Sequence, residues 1–302
     1  RRRSTPRRRR STSTSSGSTE IGAGVGGIVG GILGGISFFF LGLLGGIYYW
    51  AQKTRRAVAS SGSSSGGDMK RIHPSCEVGE CVQVRDNALV KGVQEFFDKT
   101  FKDRHYSGTF KPQRLQVMEV HRVSNSKAEA DYDEYKASLK RRRGKCDKLS
   151  DGVLSRGAPA VLGGNCDESI NEYIMFHGTN PAAAKGIVET DFRLPKSHTH
   201  GAIYGGGVYI AESNTKAHMY CQADSRGWVP ILLVKVILGK IHNTVEERPS
   251  GDDLMRGAQR GTYDSVCGDR RKLKWNFSGW REFIVYDNAQ AVAKYVVWCK
   301  PK

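Results

Sequence analysis

Three short segments of this 302-residue chain bring together residue types that can do chemistry. Phe176-His177-Gly178-Thr179 closes one apolar run. Tyr204-Gly205-Gly206-Gly207-Val208-Tyr209-Ile210-Ala211 follows about thirty residues later, with Lys216 and Tyr220 just beyond it. Arg281-Glu282-Phe283-Ile284-Val285-Tyr286-Asp287 lies near the C-terminus. A histidine, two tyrosines and a carboxylate can hydrogen-bond, stack on a flat ring and stabilise a developing positive charge without a metal. Taken singly, each segment is weak: H-G-T is ordinarily a strand-to-turn junction, a glycine run a loop, and a strand glutamate solvated. In this order and spacing they are far more specific. The seven cysteines (76, 81, 146, 166, 221, 267, 299) are scattered, odd in number and lack a C-x-x-C pair, so zinc spacing is absent. A disulfide scaffold does not suit a domain of this size, and free thiols in a reducing compartment are the plainer reading.

Taken together, the segments resemble the diphtheria-toxin-like ADP-ribosyltransferases, and specifically the poly(ADP-ribose) polymerase (PARP) family. The likeness covers residues 84–302: H-G-[ST], then G-x-Y-[FI]-A followed by a short helix ending in Tyr, then a Glu opening a strand of the form E-[YF]-[IV]-[VI]-Y. Gly261-Thr262-Tyr263-Asp264-Ser265-Val266 resembles the family's acceptor-side loop, and Arg114–Asn125 its first core strand. The resemblance implies an α+β ADP-ribosyltransferase fold with a mostly antiparallel split sheet. It also implies NAD+ as co-substrate, no metal, and a triad of His177, Tyr209 and Glu282.

By the same resemblance, Gly178 presents its main chain to the nicotinamide carboxamide, where a side chain would block the approach. Tyr209 and Tyr220 sandwich the ring, His177 hydrogen-bonds ribose hydroxyls, and Thr179 contacts the adenosine side. Residues 191–203, with His198 and His200, resemble the loop that closes over the adenosine half. Glu282 stabilises the oxocarbenium character that develops when the glycosidic bond breaks, and it is placed to act as a general base toward an acceptor hydroxyl. One position departs from the pattern. Where the family often carries Ser after the helix lysine, this chain has Ala217, and losing that hydrogen bond costs roughly 0.5–1.5 kcal/mol of NAD+ binding. The expected activity is transfer of ADP-ribose, singly or as polymer, to protein acceptors that include the chain itself. A weak or inactive NAD+/ADP-ribose-binding module is the alternative that Ala217 motivates.

The elements that must position these residues follow from periodicity. Leu89, Val93, Phe96, Phe97 and Phe101 recur at helical spacing within 88–101. Leu115–Val123 alternates as a strand, and the charged stretch 127–143 reads as a helix. Then come β-rich runs at 173–176, 207–211, 231–238, 282–287 and 294–299, with one helix-like insert at 180–189. Many short strands with few helices indicate a mixed α+β domain.

Ahead of this domain, residues 1–20 read as a disordered Arg/Ser/Thr tail. Residues 21–50 are thirty uncharged residues, ending in Tyr48-Tyr49-Trp50 before Lys53, Arg55 and Arg56. That length and flank predict a single-pass transmembrane helix in contact with membrane lipid. Its Gly22, Gly26, Gly30 and Gly34 form a ridge that suits a helix-mediated dimer, or arise from low complexity alone. Residues 51–83 read as a Ser/Gly-containing linker. Basic residues flank both ends of the span, so charge does not fix its orientation; free cysteines and NAD+ supply favour a cytosolic catalytic domain.

The net charge of +17 includes +9 from residues 1–56, where ten Lys/Arg face Glu20 alone. The rest includes Lys140–Arg143 with Lys145 and Lys148, and Arg270–Lys272 with Lys274. Clusters of this kind are ordinarily solvated loops, and polyanion binding is the minority reading. No zinc-finger pair or repeat array precedes the domain, so nucleic acid is not required for the expected activity.

Overall fold

The computed structural model describes residues 79–103, 111–162, 165–195, 202–273 and 279–302. The expected tail (1–20) and membrane span (21–50) lie outside the described residues, as do His198 and His200. Among those described, no helix is long and apolar enough to cross a membrane.

In chain order the elements are β1 (Glu80–Gln83), α1 (Asn87–Thr100), β2 (Leu115–Ser124), α2 (Ser126–Arg143), β3 (Glu172–Gly178), α3 (Pro181–Thr190), β4 (Val208–Ile210) and α4 (Asn214–His218), then β5 (Val229–Ile237), β6 (Ile241–Thr244), α5 (Gly251–Gln259), β7 (Ser265–Asp269), β8 (Arg281–Val285) and β9 (Ala291–Pro301). The strands form two sheets. One, in the order β1-β2-β9-β5-β3, is antiparallel throughout; the other, β4-β8-β7-β6, is antiparallel except for its β6–β7 pair. The expected α+β class and mostly antiparallel split sheet are what the chain forms.

The central strand explains the layering. β5 is an almost continuous apolar run, and it lies between β9 and β3 with both faces covered. Val229, Ile231 and Leu233 face Leu89, Val93, Phe96 and Phe97 of α1. Leu232, Val234 and Val236 face Ala184 and Val188 of α3 together with Ile210, Phe283 and Val285 of the second sheet. Fully burying a side chain of this size contributes about 1.5–3 kcal/mol, so the two-sided run fixes β5 at the centre.

Caps and buried polar groups set the ends. Asp86 accepts from the amides of Ala88 and Leu89 and starts α1. At its other end, Asn214 donates to the Phe97 carbonyl (2.6 Å) and Ser213 to the Thr100 carbonyl (2.9 Å). The Ser213 bond satisfies a carbonyl that the helix end leaves open, the Asn214 bond adds to the one Phe101 closes, and together they dock α4 on α1. Glu172, at the start of β3, is fully buried and accepts from Tyr132, Lys136 and the Asp167 amide, with Lys235 at 3.3 Å. Burial raises its pKa, but these four partners outweigh burial and leave it below the ordinary carboxylate value.

Hydrogen bonds join the two sheets. β4 pairs with β8 only as far as Ile210–Phe283; the next residue, Ala211, turns to Phe176 of β3 and exchanges two main-chain bonds of 2.8 Å with it. At the other end of β5, the buried Gln290 side chain donates to the carbonyls of Ile237 and Asp264 and accepts from the amides of Tyr286 and Asp287.

Among the described residues strand pairing begins at Glu80, just ahead of the expected start at Val84. The charged stretch expected as a helix over 127–143 is α2, and the basic run Lys140–Arg143 forms its last turn, where cations suit the helix dipole. Lys140 pairs with Asp167, and Arg143 donates to the Gly261 carbonyl and to Asp264. The six described cysteines carry free thiols.

Candidate active site

β3 ends on His177 and Gly178. The His177 Nδ1 donates to the main-chain carbonyl of Tyr209 (2.9 Å), which leaves Nε2 without a hydrogen bond among the described residues. Phe192 packs edge-on against the ring, with centroids 5.2 Å apart. Burial pushes the imidazole pKa below its ordinary value, and the bond to Tyr209 only partly opposes this. His177 is therefore a neutral side chain at pH 7.

Gly178 owes its identity to a close approach. A Cβ there would stand 1.8 Å from the carbonyl oxygen of Ala217 and 3.0 Å from Sγ of Cys221. The resemblance gave a reason on the ligand side; the structure adds one on the protein side, since α4 lies flush against the end of β3.

Tyr209 sits on β4 with its hydroxyl pinned. It donates to the Gly205 carbonyl (3.0 Å) and accepts from the Tyr204 amide (3.0 Å). The turn that supplies both groups needs Gly205, whose φ is 90° and whose Cβ position lies 2.4 Å from the Gly251 carbonyl. With both polar contacts made locally, the ring presents a fixed face.

α4 and the turn after it carry Lys216, Ala217 and Tyr220. Tyr220 donates to Oε1 of Glu282 (3.1 Å) and accepts from Lys216 (2.9 Å), while the Lys216 ammonium lies 3.2 Å from the same Glu282 oxygen. The ammonium also stands 4.8 Å from the centre of the Tyr220 ring, within cation–π range. Burial lowers the pKa of Lys216, but Glu282 and Tyr220 outweigh burial and leave it raised, so the amine stays charged.

His177, Gly178, Thr179, Tyr209, Ala217, Tyr220 and Glu282, the seven residues expected from the sequence, all line one cavity of about 350 Å³. Lys216 completes its wall. Sequence alone assigns Lys216 no role, although its spacing from Tyr220, about one helical turn, is the available signal. Arg281 and Glu212 were also missed. They form a buried two-bond ion pair just behind Glu282 (2.7 and 2.5 Å), and no sequence pattern joins residues so far apart in the chain.

The family model described as the poly(ADP-ribose) polymerase catalytic domain matches residues 91–301. Poly [ADP-ribose] polymerase 1 of Caenorhabditis elegans is 26% identical over 157 residues, covering 43% of this chain and 17% of that protein. Protein mono-ADP-ribosyltransferase PARP11 of Homo sapiens is 25% identical over 173 residues, 50% of this chain and 46% of that protein. Poly [ADP-ribose] polymerase 2 of Homo sapiens is 28% identical over 90 residues, 29% of this chain and 15% of that protein. The chain thus spans less than half the length of each of these relatives.

Proposed function

Because the chain belongs to the poly(ADP-ribose) polymerase family through its catalytic domain, we propose that it transfers ADP-ribose from NAD+ to protein acceptors and releases nicotinamide. The observation that carries this reading is Glu282: a carboxylate held by Lys216 and Tyr220 in the cavity that His177, Gly178 and Tyr209 also line.

The residues present suit the substrate. Gly178 leaves main-chain polar groups accessible where a Cβ would collide with α4. The Tyr209 and Tyr220 rings offer flat faces to a nicotinamide, and the Nε2 of neutral His177 can hydrogen-bond a ribose hydroxyl. Thr179 lies toward the adenosine side in this reading. Ala217 supplies a small wall and no hydroxyl.

In the reaction, the bond between ribose C1′ and the nicotinamide nitrogen breaks, and its electron pair leaves on that nitrogen, which becomes neutral. Positive charge develops at C1′ and the ring oxygen, and the Glu282 carboxylate stabilises it through the neighbouring hydroxyl. A lone pair of the acceptor forms the new bond to C1′, and the acceptor's proton passes to Glu282 as general base or to water. The relatives carry both mono- and poly- names, and Glu282 permits elongation without requiring it.

The test is incubation of the full chain with NAD+ labelled in its adenylate half, beside Glu282→Gln. Label should enter protein in the wild type and fall about 100- to 1,000-fold in the variant. Equal incorporation in both, or none in either, overturns the reading. Calorimetric NAD+ binding without nicotinamide release favours the non-catalytic binding module instead.

We propose further that residues 21–50 tether this domain to a membrane, with the catalytic side in the cytosol. The support is the uncharged thirty-residue run followed by aromatic and basic residues. Release of the full chain from membranes by alkaline carbonate would overturn the tether, and protease protection reads the orientation.

A further inference from the structure

We propose that the buried Arg281–Glu212 pair is a positioning device: it fixes the spacing between the strand that carries Glu282 and the strand that carries His177. The proposal rests on the functional reading above and concerns how its two key side chains are held in register.

β8 is paired along one edge with β7 as far as Asp269–Arg281. Along its other edge, pairing with β4 ends at Ile210–Phe283, because Ala211 turns away to Phe176. Glu282 therefore sits on a stretch of β8 that has lost its ladder on the side facing β3. Glu212, the residue after Ala211, fills the gap with its side chain. Its two oxygens accept from Nε and Nη2 of Arg281 at 2.7 and 2.5 Å, and Oε2 also accepts from the Leu154 amide at 2.6 Å. Successive strand residues face opposite sides, so Arg281 can reach Glu212 while Glu282 faces the cavity. Asp151, 3.9 Å from Nη1 of Arg281, and the Arg281 guanidinium above the Phe283 ring at 5.7 Å hold the fork from two further directions.

A continuous path results. His177 adjoins Phe176; Phe176 is bound to Ala211 by two main-chain bonds; Ala211 adjoins Glu212; Glu212 is bound to Arg281 by two charged bonds; Arg281 adjoins Glu282. Every step is a covalent neighbour or a two-bond contact, and a two-bond contact fixes orientation as well as distance. Stability alone does not account for the pair, because two well-packed apolar side chains commonly stabilise a buried site as well as an ion pair does. The planar fork does what apolar side chains cannot, which is to set one spacing.

The test uses the full chain with Arg281→Met combined with Glu212→Met, and separately Arg281→Lys, which keeps the charge but loses the fork. Thermal unfolding checks that each is folded. Steady-state nicotinamide release gives kcat and the KM for NAD+, and inhibition by added nicotinamide reports on the cavity itself. Expected for each folded variant is a kcat lower by about 100-fold, the size associated with small misplacement of reacting groups, with KM and nicotinamide inhibition little changed. A folded double variant with near wild-type kcat overturns the proposal, as does a parallel loss of kcat and nicotinamide inhibition. Should the double variant not fold, Arg281→Lys decides alone: unchanged kcat overturns the proposal. A wild-type chain that releases no nicotinamide overturns the functional reading and this proposal with it, whereas an active wild type with unimpaired variants overturns this proposal alone.

Discussion

The ammonium of Lys216 lies 3.2 Å from the Glu282 oxygen that also accepts the Tyr220 hydroxyl, so two donors from one turn of chain converge on a single carboxylate oxygen. Replacing Lys216 by Met removes the charged donor and leaves Tyr220 as the remaining one of the two. A hydrogen bond to a charged group contributes about 1.5–3 kcal/mol, so kcat for nicotinamide release should fall roughly 10- to 100-fold. Nicotinamide inhibition should change little, because the ring-binding faces remain. Wild-type kcat in this variant would show that Glu282 does not depend on the pairing.

Gly178→Ala places a methyl group 1.8 Å from the Ala217 carbonyl, and main chain cannot swing aside as a long side chain would. α4 must move away from β3, which takes Lys216 and Tyr220 with it. The expected result is destabilisation of about 1–3 kcal/mol or more in denaturant unfolding, together with loss of nicotinamide release. A stable variant that retains activity would contradict the packing described.

Ala217→Ser runs in the opposite direction. Ala217 is buried and lines the cavity, and under the proposed function a hydroxyl there would donate to the nicotinamide carboxamide. One added hydrogen bond contributes about 0.5–1.5 kcal/mol, so the KM for NAD+ should drop roughly 2- to 10-fold with kcat little affected. Titration of initial rates against NAD+ checks it.

Asp191 links stability to pH. It ends α3 at φ 75° and ψ 174°, a region natural to glycine, and its carboxyl is buried with a pKa raised to about 6 by burial. The Phe192 amide, Asn288 and Lys127 partly oppose that rise, whereas Asp131 adds to it. Between the ordinary value of 3.8 and about 6 the folded state binds the proton more tightly than the unfolded state. The contribution to stability is therefore full below 3.8, declines as pH rises, and is gone above about 6. Asp191→Asn should flatten the fall in Tm across that window and raise stability at pH 7.5 by roughly 1–3 kcal/mol. An unchanged Tm-against-pH curve would contradict it.

The strands that build the core were legible because burial on two faces leaves an apolar run, as in β5 and β9, whereas other elements carry no such mark. β1 exposes all four of its side chains, so Glu80–Gln83 shows no periodicity. β7 is wholly buried yet reads S-V-C-G-D, because Ser265 donates to the Leu238 carbonyl and Asp269 pairs with Arg271. α5 buries only Leu254, and its apolar stripe is too thin to register. In the site, resemblance supplied the seven lining residues, each inside a contiguous motif. What it did not supply were pairings between motifs, such as Lys216 with Glu282 and Glu212 with Arg281, because these exist only once the sheets are split and brought together.

Gln290 joins the two sheets at the end of β5 remote from the cavity, and both its amide donors and both acceptor positions are engaged. A neutral amide has no proton to gain or lose in the physiological range, so this joint is indifferent to acidity in a way that Asp191 is not. It is also intolerant of a one-atom change. Glutamate at 290 would turn a second oxygen toward the carbonyls of Ile237 and Asp264, and the joint between the two sheets would be held apart by repulsion where it is now closed by donation.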